Sequence, residues 1–231
     1  MRKYYSKSLL ENIKKRCNGF CECCGIDIVL DKHHILEWSK NGLTELKNLI
    51  ALCPSCHRQI PLVLSKTQQK YLQTWHHNNI ISNRSLTHNI LKENNKFLIG
   101  SNIYVNCKNI LVVNDQNIIS SVQEKDRFYI NIVMLENFEP QILILNNKLI
   151  VNNSNFEITH RKNYICVKEG NQKLFELKKN NDEIYVRMKF LYNNKLFEFD
   201  TNKSIFPGNK KFVNCKFEGR TAISYKDQVV S

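Results

Sequence analysis

The spacing of apolar and polar positions divides the chain into two stretches with different periods. From Phe97 onward the period is two. Glu183-Ile-Tyr-Val-Arg-Met-Lys-Phe-Leu-Tyr192 puts Ile184, Val186, Met188 and Phe190 on one face, and Asn193-Asn194 then leads into Lys195-Leu-Phe-Glu-Phe199. An Asn-Asn pair between alternating runs predicts a hairpin, because Asn tolerates the left-handed backbone that a tight turn between strands requires. Gln141-Ile-Leu-Ile-Leu145, Asn146-Asn147 and Lys148-Leu-Ile-Val151 repeat the pattern, and Val167 to Leu174 gives a looser version through Gly170. Short strands with turns at close intervals predict an antiparallel sandwich or barrel.

Ahead of Phe97 the pattern is mixed. Ser8 is placed to cap a short helix with Leu9, Leu10 and Ile13 on one face, stopping at Cys17-Asn18-Gly19. Ile26–Leu30 and His33–Leu36 predict two short strands and Leu49–Leu52 a further apolar segment, while Pro54 suits the first turn of a helix carrying Cys56, His57 and Arg58. Leu64, Tyr71, Leu72 and Trp75 recur at helical spacing, and the Asn-, Ser- and Lys-rich residues 78–96 predict a second helix or an ordered linker. The expected organisation is α+β: a small N-terminal domain over 1–75, a helical or linker segment over 76–96, and an all-β accessory domain over 97–231.

Composition sharpens this division. Of seven histidines only His160 lies beyond residue 96, whereas eleven of twelve phenylalanines do. Six of nine cysteines (Cys17, Cys21, Cys23, Cys24, Cys53 and Cys56) fall in the first 56 residues. No apolar run approaches the ~18 residues that a membrane-crossing helix needs, so a cytoplasmic protein is expected, and in a reducing compartment clustered cysteines point to a metal site before a disulfide framework. The net charge of +13 favours a polyanionic partner, and +8 of it lies in residues 1–96.

Cys21-Glu-Cys-Cys24-Gly25 and Cys53-Pro-Ser-Cys56 form two CxxC pairs 28 residues apart. Four thiolates supplied as two knuckles suit a structural tetrahedral zinc, which stabilises a segment too small for its own core. Cys17 and Cys23 fit better as small buried hydrophobes. Between and after the knuckles stand Asp31-Lys-His33-His34-Ile-Leu, then Asn48-Leu-Ile-Ala-Leu-Cys53-Pro-Ser-Cys56-His57-Arg58.

Over residues 5–65 this arrangement resembles the zinc-knuckle branch of the HNH endonucleases, with its ββα-metal core. Arg16, Gly19 and Cys21, the His-His-Ile strand, the loop with Gly42, the Asn-Leu step and the Cys-His close all match. The resemblance implies a metal-dependent DNA endonuclease: His33 and His57 ligate one catalytic divalent cation (Mg2+, Mn2+, Ni2+ or Zn2+), His34 activates water, and Asn48 orients His34. The chemistry is consistent with these assignments. Phosphodiester hydrolysis needs a water deprotonated near neutral pH, for which an imidazole is suited, and a cation on the scissile phosphate. Neighbouring strand residues point to opposite faces, so His33 and His34 are expected to do different jobs. Many relatives carry Asp where this chain has His33, and imidazole there favours ions softer than Mg2+.

Arg58, Lys40, Lys47 and Lys66 are candidate phosphate contacts. Double-stranded DNA is the expected partner, with no membrane. The β domain is a candidate surface for homodimerisation or for a protein partner, as in a restriction-type or antiphage effector. The competing readings are a non-catalytic zinc-ribbon DNA-binding module and a mobile-element (homing-type) nuclease.

Overall fold

The computed structural model describes residues 5–75 and 96–226, apart from 125–126, 137, 152–154, 162 and 182. The helix or linker expected over 78–96 therefore lies outside the described residues, except for Lys96. A small N-terminal unit of few helices and a two-stranded ribbon is followed by a large all-β region.

Helix α1 spans Lys7–Cys17. Its cap is Ser6, whose Oγ accepts from Leu9 N at 3.2 Å, rather than the Ser8 expected from sequence. Leu9 is the third helical residue counted from Ser6, the place an N-cap hydroxyl reaches; Ser8 sits inside the first turn. The helix stops where expected, with Asn18 in the left-handed region (φ 48°) and Gly19 following at φ 82°.

Strands β1 (Asp31–His34) and β2 (Leu49–Leu52) pair antiparallel, Asp31 opposite Leu52 and His34 opposite Leu49. The strand expected at Ile26–Leu30 does not form. That stretch closes the first knuckle instead, through Cys21 N to Ile26 O at 3.0 Å, and leaves Val29 85% exposed. The second expected strand begins earlier and ends at His34, because β2 offers only four residues to pair with. Helix α2 (Pro54–Val63) has Pro54 in its first turn. The helical spacing through Trp75 resolves into a short α3 (Lys66–Tyr71), opened by a Ser65–Gln68 capping box, and a 3-10 turn at Leu72–Thr74.

One polar knot ties this unit together. Arg16 makes a two-pronged bond to Glu22 (Nε to Oε1 2.6 Å, Nη2 to Oε2 2.8 Å) and also donates to Leu46 O and Leu49 O. Glu22 Oε2 in turn accepts from Ala51 N at 2.7 Å. Helix α1, the first knuckle and β2 are thus joined at a carboxylate that is 1% exposed, and burial pushes its pKa up against the pull of the guanidinium. Removing the arginine leaves that carboxylate buried without its partner. Arg16→Met should therefore destabilise the N-terminal unit by about 3 kcal/mol or more, read as a lower denaturation midpoint by circular dichroism.

The β region begins with β3 (Lys96–Ile99), β4 (Asn102–Val105), β5 (Asn109–Val113), β6 (Gln116–Glu124), β7 (Arg127–Glu136), β8 (Glu139–Leu145) and β9 (Lys148–Val151). It continues with β10 (Phe156–Arg161), β11 (Tyr164–Glu169), β12 (Gln172–Asn180), β13 (Glu183–Tyr192), β14 (Lys195–Asp200), β15 (Lys203–Phe206), β16 (Lys210–Phe212), β17 (Lys216–Glu218) and β18 (Thr221–Tyr225). One sheet runs β18-β5-β6-β7-β8-β9; the larger runs β10 to β16 in chain order and also takes in β3, β4 and β17. The two meet where β13 lies against β7, so this is a sandwich. Ile184, Val186, Met188 and Phe190 are all buried, and the Asn146-Asn147 and Asn193-Asn194 turns have φ between 50° and 66°. The pairing is not wholly antiparallel. β3 runs parallel to β13, β17 to β4 and β18 to β5, through connections too long to leave a hairpin signature.

The two parts share a core. Ile60, Val63, Leu64, Leu72 and Trp75 join the apolar cluster of the β region, and Gln68 and Gln116 exchange amide bonds at 2.7 and 2.6 Å. Among the described residues no helix is long and apolar enough to cross a membrane.

Candidate metal centre and histidine cluster

The two knuckles converge on one point. Cys21 and Cys24 flank the turn closed by Gly25 (φ 67°), and Cys53 caps α2 with its own sulfur, Sγ accepting from Cys56 N at 3.4 Å. The ligand atoms of Cys21, Cys24, Cys53 and Cys56 all lie within 4.8 Å of one another, and Cys24 Sγ stands 3.8 Å from Cys53 Sγ. Four sulfurs around a tetrahedral zinc at ~2.3 Å would be about 3.8 Å apart, so the donor set fits that ion. Hydrogen bonding with Cys21 draws Cys24 down to about 7 and Cys53 far lower, while Cys21 and Cys56 are pushed up. Cys17 and Cys23 are buried outside this group, as the sequence suggested.

β1, β2 and α2 set out the histidines. His33 and His34, 7% and 5% exposed, leave β1 in different surroundings, as strand geometry requires. His33 turns toward the helices: its ring stands 5.2 Å from that of His57, edge to face, and its Nε2 lies 2.9 Å from Gln69 Oε1. Gln69 Nε2 donates to Leu64 O at 2.9 Å, so the amide presents its oxygen to His33. His33 then donates from Nε2, and its lone pair is on Nδ1. Burial lowers its pKa, and the nearby His57 and Lys66 push the same way, so the neutral ring is favoured. His57 Nδ1 lies 3.1 Å from Asp31 Oδ2, an acceptor when ionised, which leaves the lone pair on Nε2.

Each of these two rings has one nitrogen beside an acceptor, the arrangement common to metal-binding histidines, so the other nitrogen of each is the one that would hold a metal. Two imidazoles sharing an ion at ~2.1 Å would have centroids about 5 Å apart, which the pair matches. Gln69→Leu should loosen the tautomer and orientation of His33 and weaken a second divalent ion about 10- to 100-fold with the cysteine-bound metal retained, as isothermal titration would show.

His34 lies toward the loop that joins the strands. Its Nε2 is 3.1 Å from Thr44 Oγ1, and the Tyr5 ring is 6.3 Å from its own. Asn48 acts on that loop. Its Oδ1 accepts from Leu36 N at 2.8 Å, and its Nδ2 donates to Leu36 O and Leu43 O. These bonds tie Leu36 and Leu43, on either side of the turn at Trp38–Asn41, to Asn48, and Thr44 follows directly after Leu43. Asn48 thus secures the segment that carries Thr44, the residue bonded to His34.

Of the expected phosphate contacts, Arg58 is exposed on α2, while Lys40 pairs with Glu37 at 3.3 Å and Lys47 with Glu45 at 3.3 Å. Lys66 also reaches Glu37, at 3.5 Å. Sequence reasoning gave no role to Asp31, Thr44 or Gln69. Asp31 had a signal, since i and i+2 share a strand face and place it with His33; Gln69 arrives from a helix 36 residues away and had none.

Residues 21–60 match the family model of the HNH endonucleases. The type IV methyl-directed restriction enzyme EcoKMcrA of Escherichia coli (strain K12) is 33% identical over 57 residues, a stretch that makes up 21% of this chain and 21% of that protein. The chain thus spans about a fifth of the length of this curated relative.

Proposed function

We propose that this chain, whose residues 21–60 form an HNH endonuclease domain, hydrolyses phosphodiester bonds of double-stranded DNA with one divalent cation. The observation that carries the reading is the convergence of His33, on the same strand as His34, with His57 of α2 at 5.2 Å, one nitrogen of each ring lying beside an acceptor. His33 and His57 hold the ion, and Asp31 and Gln69 keep their rings in the binding tautomer. A cation there supplies positive charge against that building on the leaving oxygen. His34 takes the proton of the attacking water, with Thr44 fixing its ring and Asn48 fixing the loop that presents Thr44. The four cysteines hold zinc and keep ribbon and helix in register. With an imidazole at position 33, Mn2+, Ni2+, Co2+ or Zn2+ should support the reaction better than Mg2+.

The similarity to a restriction enzyme supports a defence role, as a cytoplasmic restriction-type or antiphage effector. One such site cuts one strand, so a double-strand break needs two sites, and the β region is the surface through which a second copy would be recruited. The test is incubation of the zinc-loaded protein with supercoiled plasmid and a panel of divalent metals. Nicking that chelation abolishes is expected; no nicking with any metal, from folded zinc-bound protein, overturns the reading.

A further inference from the structure

The loop between β1 and β2 carries a feature that the cleavage chemistry leaves unexplained. Trp38 is 61% exposed and Leu43 67%, with Leu36 at 43% between them and the strand. The loop is nevertheless tightly built. Asn48 bonds both of its ends, Glu37 O accepts from Lys40 N and Gly42 N at 2.9 and 3.0 Å, and Asn41 N donates to Trp38 O. Gly42 packs so closely against the stem that a Cβ there would lie 1.9 Å from Leu36 O. A backbone held this firmly presents its indole and isobutyl groups to water by construction, at a cost in hydrophobic free energy that burial against a partner would recover.

The surroundings identify the partner. Lys40 lies two residues from Trp38, and Lys66 reaches Glu37 at the foot of the same turn. With Lys47 and the exposed Arg58 these cations outnumber the carboxylates Glu37 and Glu45. An apolar tip flanked by cations complements a duplex, in which stacked bases lie between two lines of phosphates. Thr44, the partner of His34, follows Leu43 directly in the same loop. We infer that Trp38, backed by Leu43, is a wedge that inserts against the bases of duplex DNA beside the phosphate to be cut, unstacking them while the lysines hold the backbone. This rests on the nuclease reading for its placement, but base stacking can be measured without cleavage.

The chain has two tryptophans, and Trp75 is 4% exposed, so emission from the exposed indole reports on Trp38. Titrating duplex DNA into zinc-loaded His34→Ala protein should quench that emission by stacking and shield it from acrylamide, and Trp38→Phe should lack this exposed component from the outset. Trp38→Ala should weaken duplex binding roughly 10-fold. In the cleavage-competent protein, Trp38→Ala should slow cutting of intact duplex at least as much while sparing a substrate already unpaired in a bubble, which needs no wedge. Quenching without cleavage by any variant would sustain the wedge and remove the nuclease reading. Unquenched emission with bound duplex, equal loss on duplex and bubble, or a blue shift with anionic phosphatidylglycerol vesicles in place of DNA quenching would overturn the wedge.

Discussion

His34→Ala is expected to lower plasmid nicking by about 10²- to 10⁴-fold while leaving zinc content and duplex affinity unchanged. That range is what positioned proton transfer contributes to a hydrolysis whose remaining parts stay in place. The structure explains why the substitution should be clean. His34 bonds to Thr44, outside both the cysteine group and the His33–His57 pair, so its loss disturbs neither metal site. The backbone pairing of His34 with Leu49 does not depend on the side chain. Asn48→Ala makes the companion case: loosening the loop should reduce cleavage and also lower stability, because three bonds to backbone groups go with it. Equal nicking by wild type and His34→Ala would refute the assignment of the base, whichever metal is used.

Cys53→Ser should have the largest effect on stability. Cys53 both caps α2 and belongs to the four-sulfur group. Serine is an excellent N-cap, so the substitution keeps the first role and removes a thiolate from the second. Structural zinc sites bind with an apparent ~10–16 kcal/mol that is folding free energy, comparable to the whole stability of a typical domain. The variant should therefore lose its bound metal by elemental analysis and lose the ordered N-terminal unit. The β region, whose two sheets pair strand to strand within it, should keep most of its circular dichroism signal while losing the part of the shared core that Ile60, Val63, Leu64, Leu72 and Trp75 supply. Treating the wild type with a strong chelator should give the same partial unfolding. A Cys53→Ser protein that retains stoichiometric metal and its melting profile would show that the sulfurs do not hold the N-terminal unit together.

Part of the site was legible because its signals are local. A CxxC knuckle and an His-His pair on a short strand constrain geometry within a few residues, and the knuckle sulfurs do meet. The hairpins were equally legible, since period-two alternation and Asn-Asn turns are read over ten residues. The misreadings have the opposite origin. Ile26–Leu30 has strand composition, yet the knuckle uses its backbone; the α1 cap moved by two residues because Ser6 and Ser8 both precede the same apolar run. The parallel partners β3, β17 and β18 are joined to theirs by long connections that carry no pattern.

The sequence by itself determined the cysteine pairs, the candidate histidines and the two-part organisation, because each depends on residue type at short spacing. Only the tertiary structure decided what surrounds them. Gln69 reaches His33 from α3, His57 of α2 meets Asp31 of β1, Arg16 closes on Glu22, and Asn48 turns out to secure a loop whose tip holds Trp38 in water. These relations join residues far apart in the chain, or depend on how a loop folds back on itself. Such distances are set by packing, which no short-range pattern encodes.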